Sequence, residues 1–344
     1  MKLDKSALLR VIAALTVVAL FTGGVHELRK GSGGAADFPC GAGKSEEVAI
    51  SIGKGDTGSE IAQQLFQADV VKSSAAFFRL AVGDERSQRI APGSHRIQIQ
   101  SCAKDVLEQL LDPKRIVNLI NIFEGAWNTE IMAEMIKSGF AAADVSKALK
   151  SQELPNGFKT LEGLLFPAKY SFAEETSAQS AVSAMVERGK MEIEKSGISA
   201  GSGKYTSQQL LIIASIVQAE ADTKDFAKVS RVIRNRLEKG MPLQMDSTVH
   251  YLKKVRGKIF LSTASTLLKS EYNTYRRYGL PPGPIGNPGS AAMAAAVNPE
   301  PGDWIFFITV APGDTRFTST IDQFNLWKAE YKKNLRAGVF GSAK

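Results

Sequence analysis

The sequence predicts an α+β protein in which a small subdomain precedes a larger domain, behind an N-terminal hydrophobic segment. Apolar and polar residues alternate from Glu46 and again from Gly93, which predicts two strands with helical periodicity between them. A helix predicted after Thr206 and a continuous apolar run at Trp304–Val310 indicate that helices and strands continue through the chain. With 44% hydrophobic and 23% charged residues, the 344-residue chain has a globular and not a disordered composition.

The N-terminal segment has the pattern of a membrane anchor. Arg10 and two earlier lysines precede an uncharged run at Val11–Val25. Ala7–Leu9 extend this run to about 19 residues if Arg10 reaches the lipid headgroups, which is enough to cross a bilayer. Because no A-x-A cleavage site follows, we interpret residues 1–30 as a cytoplasmic stub and transmembrane anchor. The alternative is a cleavable signal peptide. Both interpretations place the rest of the chain outside the cytoplasm, and the first predicts a single-pass protein of the cell membrane.

A linker and a small subdomain follow the predicted anchor. Residues 31–45 include the sequence GSGGAA, which is typical of a flexible tether. Residues 46–115 then show the order strand, helix, helix, strand. The predicted elements are a strand EEVAISI from Glu46, helices over Ser59–Phe66 and Ser73–Ala81, a strand over Gly93–Gln100, and a final short helix over Ala103–Leu111.

The cysteines and histidines bear on disulfide and metal chemistry. Cys40 and Cys102 are the only cysteines, and both follow the hydrophobic segment. On an oxidising side of the membrane they can form one disulfide, and the alternative is two unpaired residues. The wide separation of the two cysteines and the three scattered histidines lack the spacing of a zinc site. We therefore expect no metal and no cofactor.

The charge pattern restricts the classes of partner. A net charge of +8 suits a protein that works beside anionic lipid or an acidic wall polymer. The chain has no basic stripe interleaved with aromatic residues, and GSGKYT at Gly201 departs from a P-loop because Tyr205 stands where Ser or Thr is required. The sequence therefore gives no support for binding of nucleic acid or nucleotides.

Residues 116–344 form the predicted larger domain. The run RIVNLINIF at Arg115–Phe123 predicts a strand that leads into Glu124. Helical periodicity follows over Thr129–Ser138 and Ala178–Glu194. Farther on, Asp225 is the predicted N-cap of a helix with one apolar face, and Gly240 is its predicted left-handed stop.

One carboxylate, Glu220, falls on an apolar helix face. Thr206 and Gln209 have the spacing of a capping box, so a helix is expected to begin there. The apolar stripe of this helix consists of Leu210, Ile213, Ile216 and Val217. Glu220 continues the stripe, so its side chain is expected to face the core or a cleft. Burial raises the pKa of a carboxyl, which suits a general acid near neutral pH. The alternative is a helix-end glutamate in solvent or paired with a lysine.

Several segments together resemble a known family. They are ASIVQAEA around Glu220, the helical VSRVIRNRLEKGMPLQMDSTV after it, and YNTYRRYGLPPGPIGNPG at Tyr272–Gly289. With IFEGAW at Glu124 and EGLLFPAKYSF from Glu162, they resemble in order and spacing the endolytic murein transglycosylases of the MltG (YceG-like) family. The combination of YNTY with LPPGPI is the most specific part. The resemblance runs from about Val48 to the C-terminus.

The resemblance implies a reaction and a set of site residues. A lytic transglycosylase cleaves the MurNAc–GlcNAc bond with one carboxyl that acts first as acid and then as base, while the C6 hydroxyl of the sugar attacks and leaves a 1,6-anhydro end. The family pattern gives Glu220 this role. It implies substrate contacts, or hydrogen bonds that orient Glu220, for Gln244, Asp246, Tyr272, Asn273, Thr274 and Tyr275. Local alternatives are a turn at Asn273 and Thr274 and a helix cap at Asp246.

The sequence departs from the family pattern at four positions. Gln218 stands where a second glutamate is common, and Ala168 replaces the usual aspartate of the FPDTY segment. Thr315 and Phe324 occupy positions where histidines are frequent. These departures keep open a non-catalytic, membrane-tethered glycan-binding scaffold as an alternative function.

The resemblance also implies a domain arrangement and partners. Residues 46–115 are similar in element order to a LysM-type glycan-binding subdomain, with a structural spacer as the alternative, and residues 116–344 to the YceG-like catalytic domain. The implied partners are peptidoglycan strands, the membrane and peptidoglycan synthases. A second enzymatic alternative is a muramidase-type hydrolase, in which Asp246 or Glu162 supplies a second carboxylate.

Overall fold

The computed structural model describes residues 35–53, 55–173, 175–256 and 262–340. The predicted anchor, residues 1–30, lies outside these ranges, as does the first part of the predicted linker. Among the described residues, no helix has both the length and the hydropathy of a membrane-crossing segment. The chain forms two compact units, the first ending at Val117 and the second beginning at Asn118.

The first unit contains an antiparallel strand pair with helices between the strands. Strand β1 (Glu47–Ile52) pairs with β2 (Gly93–Gln98) so that Ile50 lies opposite His95. Helices α1 (Gly58–Gln67) and α2 (Ser74–Gly83) connect the strands, and α3 (Ala103–Leu111) follows β2. The predicted order of strand, helix, helix, strand is therefore present, although β2 ends two residues earlier than predicted.

Local sequence explains these elements. Alternation in β1 buries Ile50 and Ile52 and exposes the residues between. Helix α1 begins with a capping box between Thr57 and Glu60, which satisfies backbone N–H groups of its first turn. The core of the unit is formed by Ile50, Ile52, Ile61, Leu65, Val70, Phe77, Ile97, Val106, Leu107 and Leu110.

A disulfide joins Cys40 to Cys102, with their Cα atoms 5.0 Å apart. The bridge that the sequence left open is thus present. Cys102 is the N-cap residue of α3, and Asp37 accepts a hydrogen bond from the backbone N–H of Ala103 at 3.1 Å. Asp105 accepts one from Gly41 N–H at 2.8 Å. Residues 37–41 are therefore fastened to the start of α3 by one covalent bond and by carboxylate hydrogen bonds.

The second unit begins with a short strand pair and three helices. Strand β3 (Leu119–Asn121) pairs antiparallel with β4 (Lys169–Ser171). The strand predicted over Arg115–Phe123 is shorter than expected, because Pro113–Arg115 form a 3₁₀ turn. The helices are α4 (Asn128–Lys137), α5 (Ala142–Ser151) and α6 (Ala178–Ser196). They enclose a core formed by Ile120, Ile122, Ile131, Met135, Val145, Leu165, Val182 and Met185.

The centre of the second unit is helix α7 (Ser207–Glu220), followed by α8 (Phe226–Glu238), α9 (Asp246–Lys253), α10 (Thr263–Thr266) and α11 (Ser290–Val297). The predicted capping box of Thr206 and Gln209 is present. The sequence predicted that only one face of this helix would be buried. In the structure every residue from Leu210 to Val217 is buried, so the helix is enclosed on all faces. Helices α8, α9 and α11 all pack against α7, and a helix that is apolar all round is stable only when it is enclosed.

Two further predictions about α8 had different outcomes. Gly240 has φ +63° and lies just beyond the end of α8, as predicted. Asp225 was predicted to cap this helix, but its side chain makes no capping hydrogen bond. Asp225 is the last residue of the 3₁₀ turn Thr223–Asp225 and has helical backbone angles. A residue whose side chain caps a helix typically has an extended backbone conformation instead.

The described chain ends in a hairpin covered by a helix. Strands β5 (Phe306–Ala311) and β6 (Asp314–Thr318) pair antiparallel, and α12 (Ile321–Arg336) packs on them. The strand predicted at Trp304–Val310 begins two residues later and is not deeply buried, since only Val310 loses nearly all contact with solvent. Its apolar side chains instead form aromatic pairs such as Phe307 with Phe317, whose ring centroids are 5.8 Å apart.

Candidate functional site

Glu220 is the last residue of α7 and is partly exposed. Its Oε1 atom accepts a hydrogen bond of 3.0 Å from the backbone N–H of Ser247. Ser247 is the second residue of α9, so the donor is one of the free N–H groups that begin every helix. The positive end of the α9 dipole therefore faces the Glu220 carboxyl.

Opposing influences act on the proton of Glu220. Burial raises the pKa of Glu220, and the nearby Asp246 raises it further. Hydrogen bonding by Ser247 and the more distant charge of Arg236 lower it, but burial prevails and the pKa stays above its ordinary range. The backbone N–H of Ser247 makes the hydrogen bond to Glu220. The Ser247 hydroxyl has no hydrogen-bond partner among the described residues.

Arg236 is buried close to Glu220 without pairing to it directly. Its Nε donates to the carbonyl of Ile305 at 2.7 Å, and its Nη1 donates to the carbonyl of Leu243. The guanidinium therefore holds the hairpin and the start of the α9 region in place. Its charge lowers the pKa of Glu220 through space, but burial of Glu220 outweighs this effect.

Asp246 and Tyr275 form a second pair beside Glu220. The Tyr275 hydroxyl donates to Asp246 Oδ1. Burial and the Asp246 carboxylate raise the pKa of Tyr275, so the phenol remains protonated and serves as a donor. Asp246 is the first residue of α9 and not its N-cap, which is Met245. The capping alternative for Asp246 is therefore wrong.

Thr274 and Asn273 are buried and hydrogen-bonded within the protein. Thr274 Oγ1 accepts from Met245 N–H at 3.0 Å. It is also hydrogen-bonded to Thr248 Oγ1 at 3.0 Å, and either hydroxyl can be the donor. Asn273 Nδ2 donates to the carbonyls of Thr266 at 3.0 Å and Leu268 at 2.8 Å. The turn that the sequence allowed at Asn273 and Thr274 is present, since Asn273 Oδ1 accepts from Tyr275 N–H at 3.1 Å. Thr274 also fixes the start of α9, where Ser247 N–H donates to Glu220.

Gln244 and Tyr272 are the residues that precede Met245 and Asn273 in the chain. Gln244 is exposed and has φ +49°, and its N–H donates to the Thr274 carbonyl at 3.1 Å. A positive φ is strained for glutamine, so the pairing with Thr274 must hold the turn that starts α9. Tyr272 is half-buried, with its ring centroid 5.3 Å from that of Tyr251.

Tyr272 borders a second buried carboxyl, Glu162. Glu162 Oε1 accepts from Asn128 N–H at 3.0 Å, and Oε2 accepts from the Tyr251 hydroxyl at 3.0 Å. Burial raises the pKa of Glu162, while these hydrogen bonds and Lys254 lower it, and burial prevails. Because both oxygens bind protein groups, Glu162 connects α4 to α9.

Sequence reasoning missed Asn287, which is completely buried. Its Oδ1 accepts from the N–H groups of Gly163 at 3.0 Å and Leu165 at 2.8 Å, and its Nδ2 donates to the Ala126 carbonyl at 2.8 Å. One amide thus joins the segments IFEGAW, EGLLFP and PPGPIGNPG. The sequence did contain one signal. Asn287 is the only amide residue in PPGPIGNPG, where the glycines and prolines can form the turn without it.

Three of the four positions that depart from the family pattern make side-chain contacts, and the fourth, Ala168, makes a backbone one. Gln218 Oε1 accepts from Gly289 N–H at 2.9 Å. A Cβ atom at Gly289 would lie 2.1 Å from Glu124 Oε1, so a larger residue there would displace the Glu124 side chain. Thr315 shares a hydrogen bond of 2.9 Å with Thr309, and Phe324 stacks on Phe306. Ala168 accepts a backbone hydrogen bond of 2.9 Å from Ile122.

Few residues of the described structure are grouped as metal ligands would be. The one group of three cysteine, histidine or acidic side chains found close enough to share an ion is Cys40, Cys102 and Asp105. Both of its sulfur atoms belong to the disulfide and are not available as thiolates.

Comparison with known proteins gives the family. The model of the YceG-like family matches residues 50–330. The endolytic murein transglycosylase of Bacillus subtilis is 30% identical over 307 residues, covering 83% of this chain and 84% of that protein. The protein of the same name from Streptococcus pneumoniae serotype 2 is 26% identical, over 79% of this chain and 56% of its own length.

A solved structure agrees with the sequence comparisons. A crystal structure of a YceG-like protein from Listeria monocytogenes superposes with a TM-score of 0.55 at 25% identity, covering 82% of this chain and 99% of that one. The family match extends over most of the chain and includes Glu220, the YNTY segment and the PPGPIGNPG loop. The chain belongs to the YceG-like family.

Proposed function

We propose that this protein is an endolytic murein transglycosylase that cleaves the MurNAc–GlcNAc bond within peptidoglycan strands, with Glu220 as both acid and base. The observation that carries the proposal is the environment of Glu220, where burial favours the protonated carboxyl and an α9 N–H group is ready to stabilise the carboxylate. The names of the bacillary and streptococcal relatives support the same reaction class.

The proposed reaction needs one carboxyl in two protonation states. Protonated Glu220 donates its proton to the glycosidic oxygen as the bond to the anomeric carbon breaks. The C6 hydroxyl of the same sugar attacks that carbon, and the Glu220 carboxylate accepts the hydroxyl proton. A 1,6-anhydro ring forms, no water is consumed, and Glu220 returns to its starting state. Because the nucleophile is part of the substrate, the attack has the advantage of an intramolecular reaction.

The surroundings of Glu220 suit both halves of this cycle. Burial and the negative Asp246 favour the neutral acid at the start. The Ser247 N–H then stabilises the carboxylate formed in the middle of the reaction, at the positive end of α9. Asp246 remains fixed by the Tyr275 hydroxyl, so its charge stays close to the cation-like sugar of the transition state.

The new chain ends distinguish this proposal from hydrolysis. We expect digestion of purified peptidoglycan in heavy-oxygen water to give 1,6-anhydro-muramoyl ends that lack the mass of one water and carry no label. The measurement is mass spectrometry of the released fragments. Labelled reducing ends would instead support a muramidase that uses a second carboxylate, with Asp246 the nearer candidate because it acts on the Glu220 pKa. Binding of strands without any cleavage would support a scaffold.

We also propose that the first unit contacts glycan as a LysM-like subdomain. A cavity of about 440 Å³ lies between the end of β1 and the segment that follows α2. Phe78 and Val82, which are 42% and 72% exposed, border this cavity and offer apolar surface to a sugar ring. Binding of N-acetylglucosamine oligomers by the wild type but not by Phe78→Ala would support this role, and equal binding would exclude it.

We further propose that residues 1–30 anchor the protein in the cell membrane, so that Glu220 acts outside the cytoplasm beside peptidoglycan synthases. The support is the apolar run at Val11–Val25 and the presence of the disulfide. We expect the protein to sediment with membranes and to resist extraction by high salt, since apolar burial and not charge would hold it. A mature N-terminus found between Thr22 and Asp37 would contradict the anchor.

A further inference from the structure

One cavity of the second unit lies away from Glu220. It has a volume of about 430 Å³ and is bordered by the first half of α7, the end of α8 and the loop that follows YNTY. We name it the Gln208 pocket, and its defining residues are Lys159, Lys204, Tyr205, Gln208, Leu237 and Pro281. Gln208 is twelve residues before Glu220 on α7, which corresponds to about 18 Å along the helix. The pocket is therefore separate from the proposed cleavage site.

Two buried polar groups that border the pocket lack hydrogen-bond partners in the described part of the chain. Tyr205 and Gln208 are each only 8% exposed, and neither the Tyr205 hydroxyl nor Gln208 Nε2 is paired. The orientation of the Gln208 amide is fixed, because its Oε1 accepts from Lys159 N–H at 3.1 Å. Leaving such groups unpaired is costly, so a ligand that accepts hydrogen bonds from them would be favoured once the protein atoms that cover them move aside.

The charge around these groups is mainly positive. Lys159 and Lys204 are exposed at the edge of the pocket. Lys204 Nζ lies 5.7 Å from the ring centroid of Tyr205, and Arg234 lies 4.7 Å from the same centroid. Glu238 is 3.7 Å from Lys204, a loose contact between exposed groups that a ligand carboxylate can replace. The pocket thus combines two lysines with neutral donors, which is a set suited to an anion.

The rest of the lining is apolar. Ile212, Leu237 and Leu280 contribute aliphatic side chains, and Pro281 and Pro282 contribute rigid ring surfaces. A small inorganic anion would leave this surface unused, whereas a peptide carboxylate with neighbouring methyl groups would cover it. The pocket geometry and its donors therefore match a short acidic peptide better than an isolated ion.

We propose that the Gln208 pocket binds a carboxylate of a short acidic peptide of the kind that murein strands carry. The identity of this ligand as a murein peptide rests on the proposed function. A tetrapeptide extends about 13 Å, so a strand with one sugar at Glu220 can place the peptide of a nearby sugar in the pocket. The pocket would then select strands that carry peptides over bare glycan.

The test uses the N-acetylated tetrapeptide L-Ala-γ-D-Glu-L-Lys-D-Ala and the same peptide with both carboxylates amidated. Calorimetric titration of the purified protein is expected to show binding of the acidic form and about tenfold weaker binding of the amide. In Gln208→Glu the acceptor for Lys159 N–H is kept while the donor is lost, and about a tenfold loss is expected. The double variant Lys159→Ala/Lys204→Ala alters only exposed side chains and is expected to give a similar loss.

Lys190→Ala provides the matched control, because Lys190 is an exposed lysine of the same unit that pairs with Glu187. It is expected to bind the peptide like the wild type. Equal affinity for the acidic and amidated peptides, unchanged affinity in both pocket variants, or no saturable binding at millimolar peptide would each overturn the proposal. Glu220→Gln should bind the peptide normally, so a failure of the cleavage assay and a failure of this pocket are distinguishable.

Discussion

Glu220→Gln is expected to abolish cleavage of purified peptidoglycan, with a loss of at least about 10³-fold, because glutamine can neither donate nor recover the proton. The Gln218–Gly289 and Asn287 contacts that shape the site do not involve Glu220, so the fold should persist. The measurement is release of soluble fragments, with the exposed Glu187→Gln as the matched control. Activity that survives in Glu220→Gln would remove Glu220 from the mechanism.

The same substitution has a signature in the pH dependence. Burial raises the pKa of Glu220 in the folded protein, so the folded state holds this proton more tightly than the unfolded state. The stabilisation from the protonated group is complete below the unfolded pKa, about 4.3, and is lost as pH rises through the folded value. Wild-type activity should fall on the alkaline side of the same transition. Glu220→Gln should therefore match the wild type in acid and exceed its melting temperature at neutral pH.

Asn287→Ala is expected to destabilise the second unit by about 3–5 kcal/mol, because it leaves buried donors at Gly163 and Leu165 and an acceptor at Ala126 with fewer partners. For a unit of this size the loss corresponds to a fall in melting temperature of about 10 °C. Thermal unfolding followed by circular dichroism measures it. Asn156→Ala, at an exposed asparagine, should change the melting temperature little.

The effect of Asn287→Ala on activity distinguishes a structural role of Asn287 from direct action on substrate. Asn287 holds the segments that contain Glu124, Glu162 and the loop whose Ile285 N–H donates to Ser215 of α7 at 3.0 Å. Asn287→Ala is therefore expected to lose activity and stability together. A variant with wild-type stability and lost activity would show that Asn287 acts on substrate directly. A variant with wild-type stability and activity would show that the observed hydrogen bonds contribute little.

Local patterns in the sequence predicted the elements that local physics determines. The alternation in EEVAISI predicted β1, and the spacing of Thr206 and Gln209 predicted the start of α7. The position of Glu220 on an apolar helix face predicted a carboxyl directed inward. These features depend on neighbours within one or two helical turns, so a single sequence contains the information needed to find them.

The remaining features depend on contacts between distant segments. Burial of α7 on all sides requires α8, α9 and α11 to surround it, which no periodicity within α7 reveals. The donor to Glu220 is the backbone N–H of Ser247. Every residue except proline has this group, so the residue type does not indicate the contact. Asn287 acts on a segment 161 residues away, so its importance was invisible from PPGPIGNPG alone.

The Cys40–Cys102 disulfide determines which part of the chain would bear mechanical tension. If residues 1–30 are held in the membrane while a strand pulls on the second unit, the force enters at Cys40 and crosses the sulfur atoms to Cys102. The residues between the two cysteines, with the whole β1–β2 pair, form a closed loop that carries none of this load. Reduction would place those 62 peptide spacings in the line of force, and unfolding of the unit would then lengthen the chain by roughly 200 Å, at about 3.4 Å per residue. The bridge therefore limits how far the second unit can travel from its point of attachment.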